Sequence, residues 1–393
     1  MNSGTTLRLA RQARGFSQQQ LAGMAGVSRQ AVSAVESGQS DPSLRVALAL
    51  ALALGLTVDE LFGAEAAVPT VTARPVRTGA ARPRGERVTL APIGDSFVAL
   101  PLSGPTVSKA GFLPAGGLVA EQGGRGEQDR RDEQDEQGGL VGSGGQLVVQ
   151  PIGPPRTTLV IAGCDPALPL LEEPLSLLDP PIAFSWWPCG SREALRLAAE
   201  GLVHVAGVHL MGESGGYSTG PAAELLAQGG EVIGFSAWRE GVVLRPDLLL
   251  QVENFADVAR AGLRVVNREL GSEARSVLDR ELTGLGLVGD DVPGYDAVVT
   301  GHLQVADAVA AGLAEFGVAS EPAALAYGLA FIPLAAEQFD LVIPAERVAS
   351  REVQALIKVL SSRWLLDQLA SLPGYDTTPC GQAVFSQARA QAY

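Results

Sequence analysis

Apolar residues follow two rhythms along this chain. Over residues 1 to about 65 they mark short helices, with Ser17 as an N-cap before QQQLAGMA and Ser28 as another before RQAVSAVES. Between them lies Ala25-Gly26-Val27, where the glycine reaches positive φ and lets the chain turn sharply between two helices. Leu21, Ala22, Val27, Val32 and Val35 supply a small core. Residues 88 to about 155 carry short strand-like runs, RVTLAPI, SFVALPL and QLVVQPI. From Arg156 onward, strand-like runs (TLVIAGC, HVAGVHL, EVIGFSAW, GLRVVNRE, FDLVIP) alternate with helix-like ones (SREALRLAAEGL, SEARSVLDRELTGLG, LQVADAVAAGLA, REVQALIKVLSSRWLLDQLASL). That alternation predicts an α/β domain with a largely parallel sheet.

Breaks in the pattern divide the chain. Residues 66–88 hold Pro, Ala, Thr and five arginines with little apolar order, which predicts a linker. The stretch EQGGRGEQDRRDEQDEQGG, residues 121–139, predicts a disordered acidic insertion within a small β-rich segment, 89–155. The plan is therefore multidomain: an all-α domain at 1–65, the linker, the β-rich segment, and an α/β domain at 156–393. A length of 393 residues suits two or three domains. The run LRVALALALALGL is too short to span a bilayer and reads as a buried helix stopped by Gly55. The start MNSGTTLRLARQARG has no apolar signal core, so a cytoplasmic protein without membrane partners is expected. Three cysteines without a CxxC pair argue against a zinc site or a disulfide framework.

The first domain has more than helical rhythm. The pattern L-x-x-A-R…S-Q-Q-Q-L-A…G-V-S-R-Q-A-V-S-x-x-E-S-G…P-S-L, closing on LGLTVDELF, resembles the phage-repressor-like (XRE) helix-turn-helix family over residues 5–63. The resemblance places Ser28, Arg29, Gln30, Ser33 and Ala34 on the exposed face of the recognition helix. Arg29 suits guanine and Gln30 adenine. Gln18 is implied to contact a phosphate, and Arg11 and Glu36 to form a buried ion pair between the first and third helices. Net charge over the chain is −14, which excludes general coating of nucleic acid. The module through Glu65 is neutral, so modest monomer affinity and a homodimer on paired half-sites of double-stranded DNA are expected. The bland alternative is a helical protein–protein module.

In the α/β domain several strands end where a small polar residue opens a helix: Cys164-Asp165-Pro166, Gly190-Ser191-Arg192 and Gly271-Ser272-Glu273-Ala274-Arg275. Helix starts present unpaired N–H groups and partial positive charge, and converging ones trap an oxyanion. The motifs AGCDPAL, GSREALRLAAEGLVHVAGVHL, VNRELGSEARSVLD and FIPLAAEQFDLVIP resemble the periplasmic-binding-protein-like domain fused to helix-turn-helix regulators, over Thr157 to Pro344. The resemblance implies two α/β lobes around a ligand cleft. VNRELGSEAR is similar to the anion-binding turn of tungstate-binding proteins: Arg268 and Ser272 fit, Glu273 and Ala274 replace a Gly and a Thr, and Arg275 stands where it compensates. Ser191 resembles the serine that opens the second helix of the first lobe in molybdate-binding proteins.

These resemblances imply a one-component regulator that senses a tetrahedral oxyanion, molybdate or tungstate, as effector, with no cofactor or metal. The expected ligand residues are Cys164, Asp165, Ser191, Arg192, His209, Arg268, Ser272, Ala274, Arg275 and Tyr327. The bland readings are an N-cap for each serine and a small buried side chain for Cys164. His204, His209 and His302 are not at metal-ligand spacing and read as structural, with His209 the one cleft candidate. A second ligand class, a small organic metabolite such as a molybdenum-cofactor precursor, is suggested by Trp186, Trp187 and Trp238 at strand ends. An enzyme reading rests on Ser214 in Gly212-Glu213-Ser214-Gly215-Gly216, or on Cys164. It is disfavoured because turn residues follow Ser214 and no base partner is visible in sequence.

Overall fold

A computed structural model describes residues 3–62, 69–77, 82–103, 111–122, 145–209, 222 and 225–387. The chain forms two compact units, Met1–Pro69 and Thr70–Tyr393. Residues 123–139 of the expected acidic insertion, and the segment holding Ser214 and Tyr217, lie outside the described residues.

Among the described residues the first unit has five helices: α1 (Ser3–Ala13), α2 (Gln18–Ala25), α3 (Arg29–Glu36), α4 (Leu44–Leu54) and α5 (Val58–Phe62). Ser17 caps α2 in a reciprocal box. Its hydroxyl accepts the Gln20 N–H, and the Gln20 side chain accepts the Ser17 N–H. Gly26 ends α2 at φ 64°, the left-handed turn that a side chain would strain, and Ser28 caps α3. Leu7, Leu21, Val32, Val35, Leu50, Leu54 and Leu61 fill the centre, with Val27 packed at its edge.

The second unit begins earlier than the sequence suggests. Val71–Pro75 (β1) lies inside the expected linker, yet it closes a five-stranded barrel with β2 (Arg87–Ile93), β3 (Ser96–Pro101), β4 (Gly117–Gln122) and β5 (Leu147–Pro151). The linker boundary is thereby corrected. A short strand of VTARP, half polar and ending in proline, gave no apolar run to detect. One face of the barrel fills its own interior with Val88, Leu90, Val119 and Val149. The other face, Val76, Ile93, Val98 and Leu100, joins one core with Val160, Trp187 and Leu197 of the α/β domain.

That domain is built on β6 (Thr158–Gly163), β7 (Ala183–Pro188), β8 (Val205–Val208), β9 (Gly230–Leu244), β10 (Val265–Arg268), β11 (Val298–Val299), β12 (Phe316–Ser320), β13 (Ala330–Pro344) and β14 (Ala383–Gln387). The sheet is mixed, not largely parallel. β6–β8 are parallel in one lobe and β10–β12 in the other, while β9 and β13 run antiparallel through both. The helices are α6 (Glu172–Ser176), α7 (Ser191–Ala199), α8 (Phe255–Arg260), α9 (Glu273–Gly284), α10 (His302–Ala310), α11 (Glu321–Ala326), α12 (Ala345–Val348), α13 (Arg351–Leu360) and α14 (Arg363–Ala370). Among the described residues no helix is long and apolar enough to cross a membrane.

Register decides where the lobes meet. β8 runs toward Asp340 of β13, and β12 ends with Ser320 opposite Glu240 of β9. The carboxyl ends of the strands of both lobes therefore converge on the middle of the two long strands, where a doubly wound sheet holds its ligand.

Candidate functional site

Alternation along β9 turns Ser236, Trp238 and Glu240 to one buried face. Across from them on β13 stand Phe339, Glu337 and Ala335 respectively. The lobes add Cys164 after β6, His209 after β8, Arg268 at the end of β10, and His302 at the start of α10. All four are at most 5% exposed. His209 Nδ1 lies 3.8 Å from Glu337 Oε2, and His302 Nδ1 lies 3.7 Å from Glu240 Oε1. The Ser320 N–H donates to His302 Nδ1 at 3.2 Å.

Burial and charge set the protonation of this cluster. Burial pushes the Glu240 carboxyl up to about 7, against the pull of His209 and with a further push from Glu337. Burial also drives His302 far below the ordinary histidine range, and the nearby Arg268 and His209 add to this. His209 goes the other way: burial lowers it, but Cys164, Glu337 and Glu240 outweigh burial and hold it well above its usual value.

A small cavity of about 30 Å³ lies beside the cluster; Cys164, Trp186, Pro188, Glu269, Gly301 and His302 are among its walls. α7 and α10 both start at a glycine, Gly190 and Gly301, with no side-chain cap. Behind Glu269 is Arg268, which grips that carboxylate through Nε at 2.8 Å and Nη2 at 3.0 Å. Glu269 Oε1 is 3.6 Å from the point where a Gly190 side chain would begin, so this carboxylate of one lobe abuts the open helix start of the other.

The structure brings Cys164, Asp165, Ser191, His209, Arg268 and Ser272 into buried positions around the lobe junction, but it assigns several of them work other than the expected one. The Asp165 carboxylate accepts from the Ala167 N–H, the Ser236 hydroxyl at 2.8 Å and the Tyr375 hydroxyl at 2.7 Å, so it braces β6 against β9. Ser191 is the first helical residue rather than the cap, and its hydroxyl oxygen accepts the His209 N–H at 3.2 Å. Ser272 caps α9. Ala274 is buried in a lobe core with Val277 and Leu278. Arg192 is exposed, with its stem against Gly271. Arg275 lies over the Tyr295 ring and donates to the Arg268 carbonyl. Tyr327 is 40% exposed at the far end of α11. Of the expected ligand set, Cys164 alone lines the cavity.

His302, read from the sequence as structural, meets His209 in the cluster, their ring centroids 5.6 Å apart. Linear spacing missed this because the two lie on different lobes. Glu240 and Glu337 were also missed. Their signal was present: a charge in the buried phase of an otherwise apolar strand.

In the first unit the Arg11–Glu36 ion pair forms, with Nε to Oε1 at 2.6 Å. Ser28, Arg29, Gln30 and Ser33 are exposed on α3. Gln18, expected at a phosphate, donates from its amide to Glu36 at 2.9 Å, which ties it into the module.

Residues 7–61 match the helix-turn-helix family and residues 173–361 the PBP superfamily domain. The Bacillus subtilis (strain 168) protein YvgK is 28% identical over 233 residues, 58% of this chain and 74% of YvgK. A Clostridium pasteurianum protein from the 5′ region of a 2Fe-2S ferredoxin gene is 32% identical over 109 residues, 28% of this chain and 96% of that protein. The chain belongs to the family of that clostridial protein. Among solved structures, the restriction-modification controller protein C.AhdI from Aeromonas hydrophila is 45% identical, covering 15% of this chain and 91% of its own, at a TM-score of 0.15. The family member described here thus joins a helix-turn-helix domain to a PBP superfamily domain.

Proposed function

We propose that this protein is a one-component transcriptional regulator. Its helix-turn-helix unit reads double-stranded DNA, and its α/β domain senses a small anion, molybdate or tungstate, between the lobes. The observation that carries this reading is the start of α10, which opens at Gly301 without a side-chain cap on the cavity wall, facing Cys189 of the other lobe, the residue before the glycine that starts α7. The partial positive charge at a helix start favours negative charge. Arg268 stands behind, and an entering anion takes the place of the Glu269 carboxylate at its guanidinium. Binding draws the lobes together, and DNA affinity changes by as much as the ligand prefers one lobe arrangement over the other. The regulator acts as a homodimer, because one eight-residue recognition helix reads few bases.

A second reading, a small organic anion, is favoured by the cavity wall of Trp186, Pro166, Pro188 and Leu303, which suits an apolar body. Calorimetric titration of molybdate, tungstate and sulfate into the full-length protein tests the first reading. One ion per chain is expected, with affinity falling at least tenfold in Arg268→Gln. Heats of dilution alone for all three ions would end the oxyanion reading and leave the organic one, which native mass spectrometry of the purified protein then tests.

A further inference from the structure

Cys164, His209 and His302 each bring one ligand atom within 4.8 Å of the other two, and all three are buried. Nothing in the anion reading uses them as a set. They come from three separate points of the fold: the end of β6, the end of β8 and the start of α10.

A second observation is independent of that proximity. His302 Nε2, His209 Nδ1 and both oxygens of Glu240 and of Glu337 are buried without a hydrogen-bond partner. A buried polar group left unpaired costs about 1–3 kcal/mol, and His302 Nε2 is the atom of this set that an ion at the cluster satisfies directly. The arrangement says which kind. Each imidazole has a buried carboxylate on its Nδ1 side, Glu337 for His209 and Glu240 for His302. That is how metal-ligating histidines are oriented: one ring nitrogen on the ion, the other donating to an acid.

We propose that Cys164, His209 and His302 bind a divalent transition-metal ion of borderline softness, of the zinc, cobalt or nickel class. Glu337 and Glu240 serve as the hydrogen-bond acceptors that aim the two imidazoles. One sulfur and two ring nitrogens exclude magnesium and calcium, which take oxygen ligands. The ion also answers the charge of the cluster, since two buried carboxylates, Glu240 of β9 and Glu337 of β13, stand diagonally across the strand pair beside these ligands.

Loading is a proton exchange. The sulfur–metal bond forms as the Cys164 thiol loses its proton to solvent, and the protonated His209 ring releases its Nε2 proton to solvent as well. His209 meets the ion through Nε2 and donates from Nδ1 to Glu337. His302 meets it through Nε2, whose hydrogen moves to Nδ1, toward Glu240; Nδ1 then gives up both the Ser320 N–H it otherwise accepts and its contact with Arg268 Nη1 at 3.3 Å. Three protein ligands leave a fourth position. Cys164 and His302 both line the cavity, so that position opens toward it.

The test uses full-length protein stripped with a chelator and titrated with Co2+. Expected are one ion per chain, a sulfur-to-cobalt charge-transfer band in the near ultraviolet, and loss of both spectrum and ion when Zn2+ is added. Cys164→Ser abolishes the band and weakens Zn2+ binding at least 100-fold, Glu337→Gln weakens it about tenfold, and Cys189→Ser and Cys380→Ser leave it unchanged. The wild-type band is a sufficient reading should a variant fail to fold. A wild-type protein that takes up no stoichiometric Co2+, or takes it up without the charge-transfer band, overturns the site; so does a folded Cys164→Ser protein that binds as wild type does. The anion reading is judged by its own titration, and either can fail without the other.

Discussion

His204 is buried, and its Nδ1 accepts the Val160 N–H at 3.1 Å, which only the unprotonated nitrogen can do. Burial, with a push from Arg347, lowers its pKa to about 4. The unfolded chain takes up this proton near pH 6.5, while the folded one resists until about 4. Stability from this residue is therefore complete above pH 6.5 and is lost as pH falls between those values, roughly 3 kcal/mol in all. Replacing His204 with Gln keeps an acceptor without the titration. Urea unfolding at pH 7.5 and 5.0 is expected to show the loss on acidification reduced by about 2 kcal/mol in His204→Gln; an unchanged loss would contradict the assignment. The same scale shows what sequence text conveys about a residue. Ser17 and Ser28 were legible as caps because capping is local. Asp165 looked like a ligand because it is polar at a strand end, and only the fold supplies Ser236 and Tyr375 to satisfy it.

At the scale of elements, β9 and β13 decide the site. Each is 15 residues long, and their pairing carries both lobes. The sequence rhythm revealed EVIGFSAW and FDLVIP but cut each strand short, because Glu240 and Glu337 interrupt the apolar run. Those interruptions were the site itself. The close approach of the two strands rests on Gly241: a Cβ there would lie 2.2 Å from the Ile332 carbonyl oxygen, which is backbone and cannot swing aside. Gly241→Ala should therefore cost about 1–3 kcal/mol through forced separation of the strands, read as a lowered thermal midpoint of the second unit. A midpoint equal to wild type would mean the strands are free to separate there. The helix-turn-helix elements were legible almost throughout, since their caps, turn glycine and core lie within one short stretch. The barrel was less so, because β1 pairs with β3 and β5 across long intervals of sequence.

At the scale of the whole molecule, the sequence order already paired a DNA-reading module with a two-lobed α/β domain. What it could not convey was that Cys164, His209 and His302, remote along the chain, close on one another at the lobe junction. The central claim is that occupancy of this junction alters DNA binding. The most direct measurement is fluorescence anisotropy of the full-length protein with an operator duplex selected from a random pool, run with and without saturating molybdate or tungstate. The expected result is a change in Kd of at least fivefold on adding the ligand, with Arg29→Ala losing the duplex in both conditions. A Kd that stays the same under an ion shown by calorimetry to be bound would contradict the account.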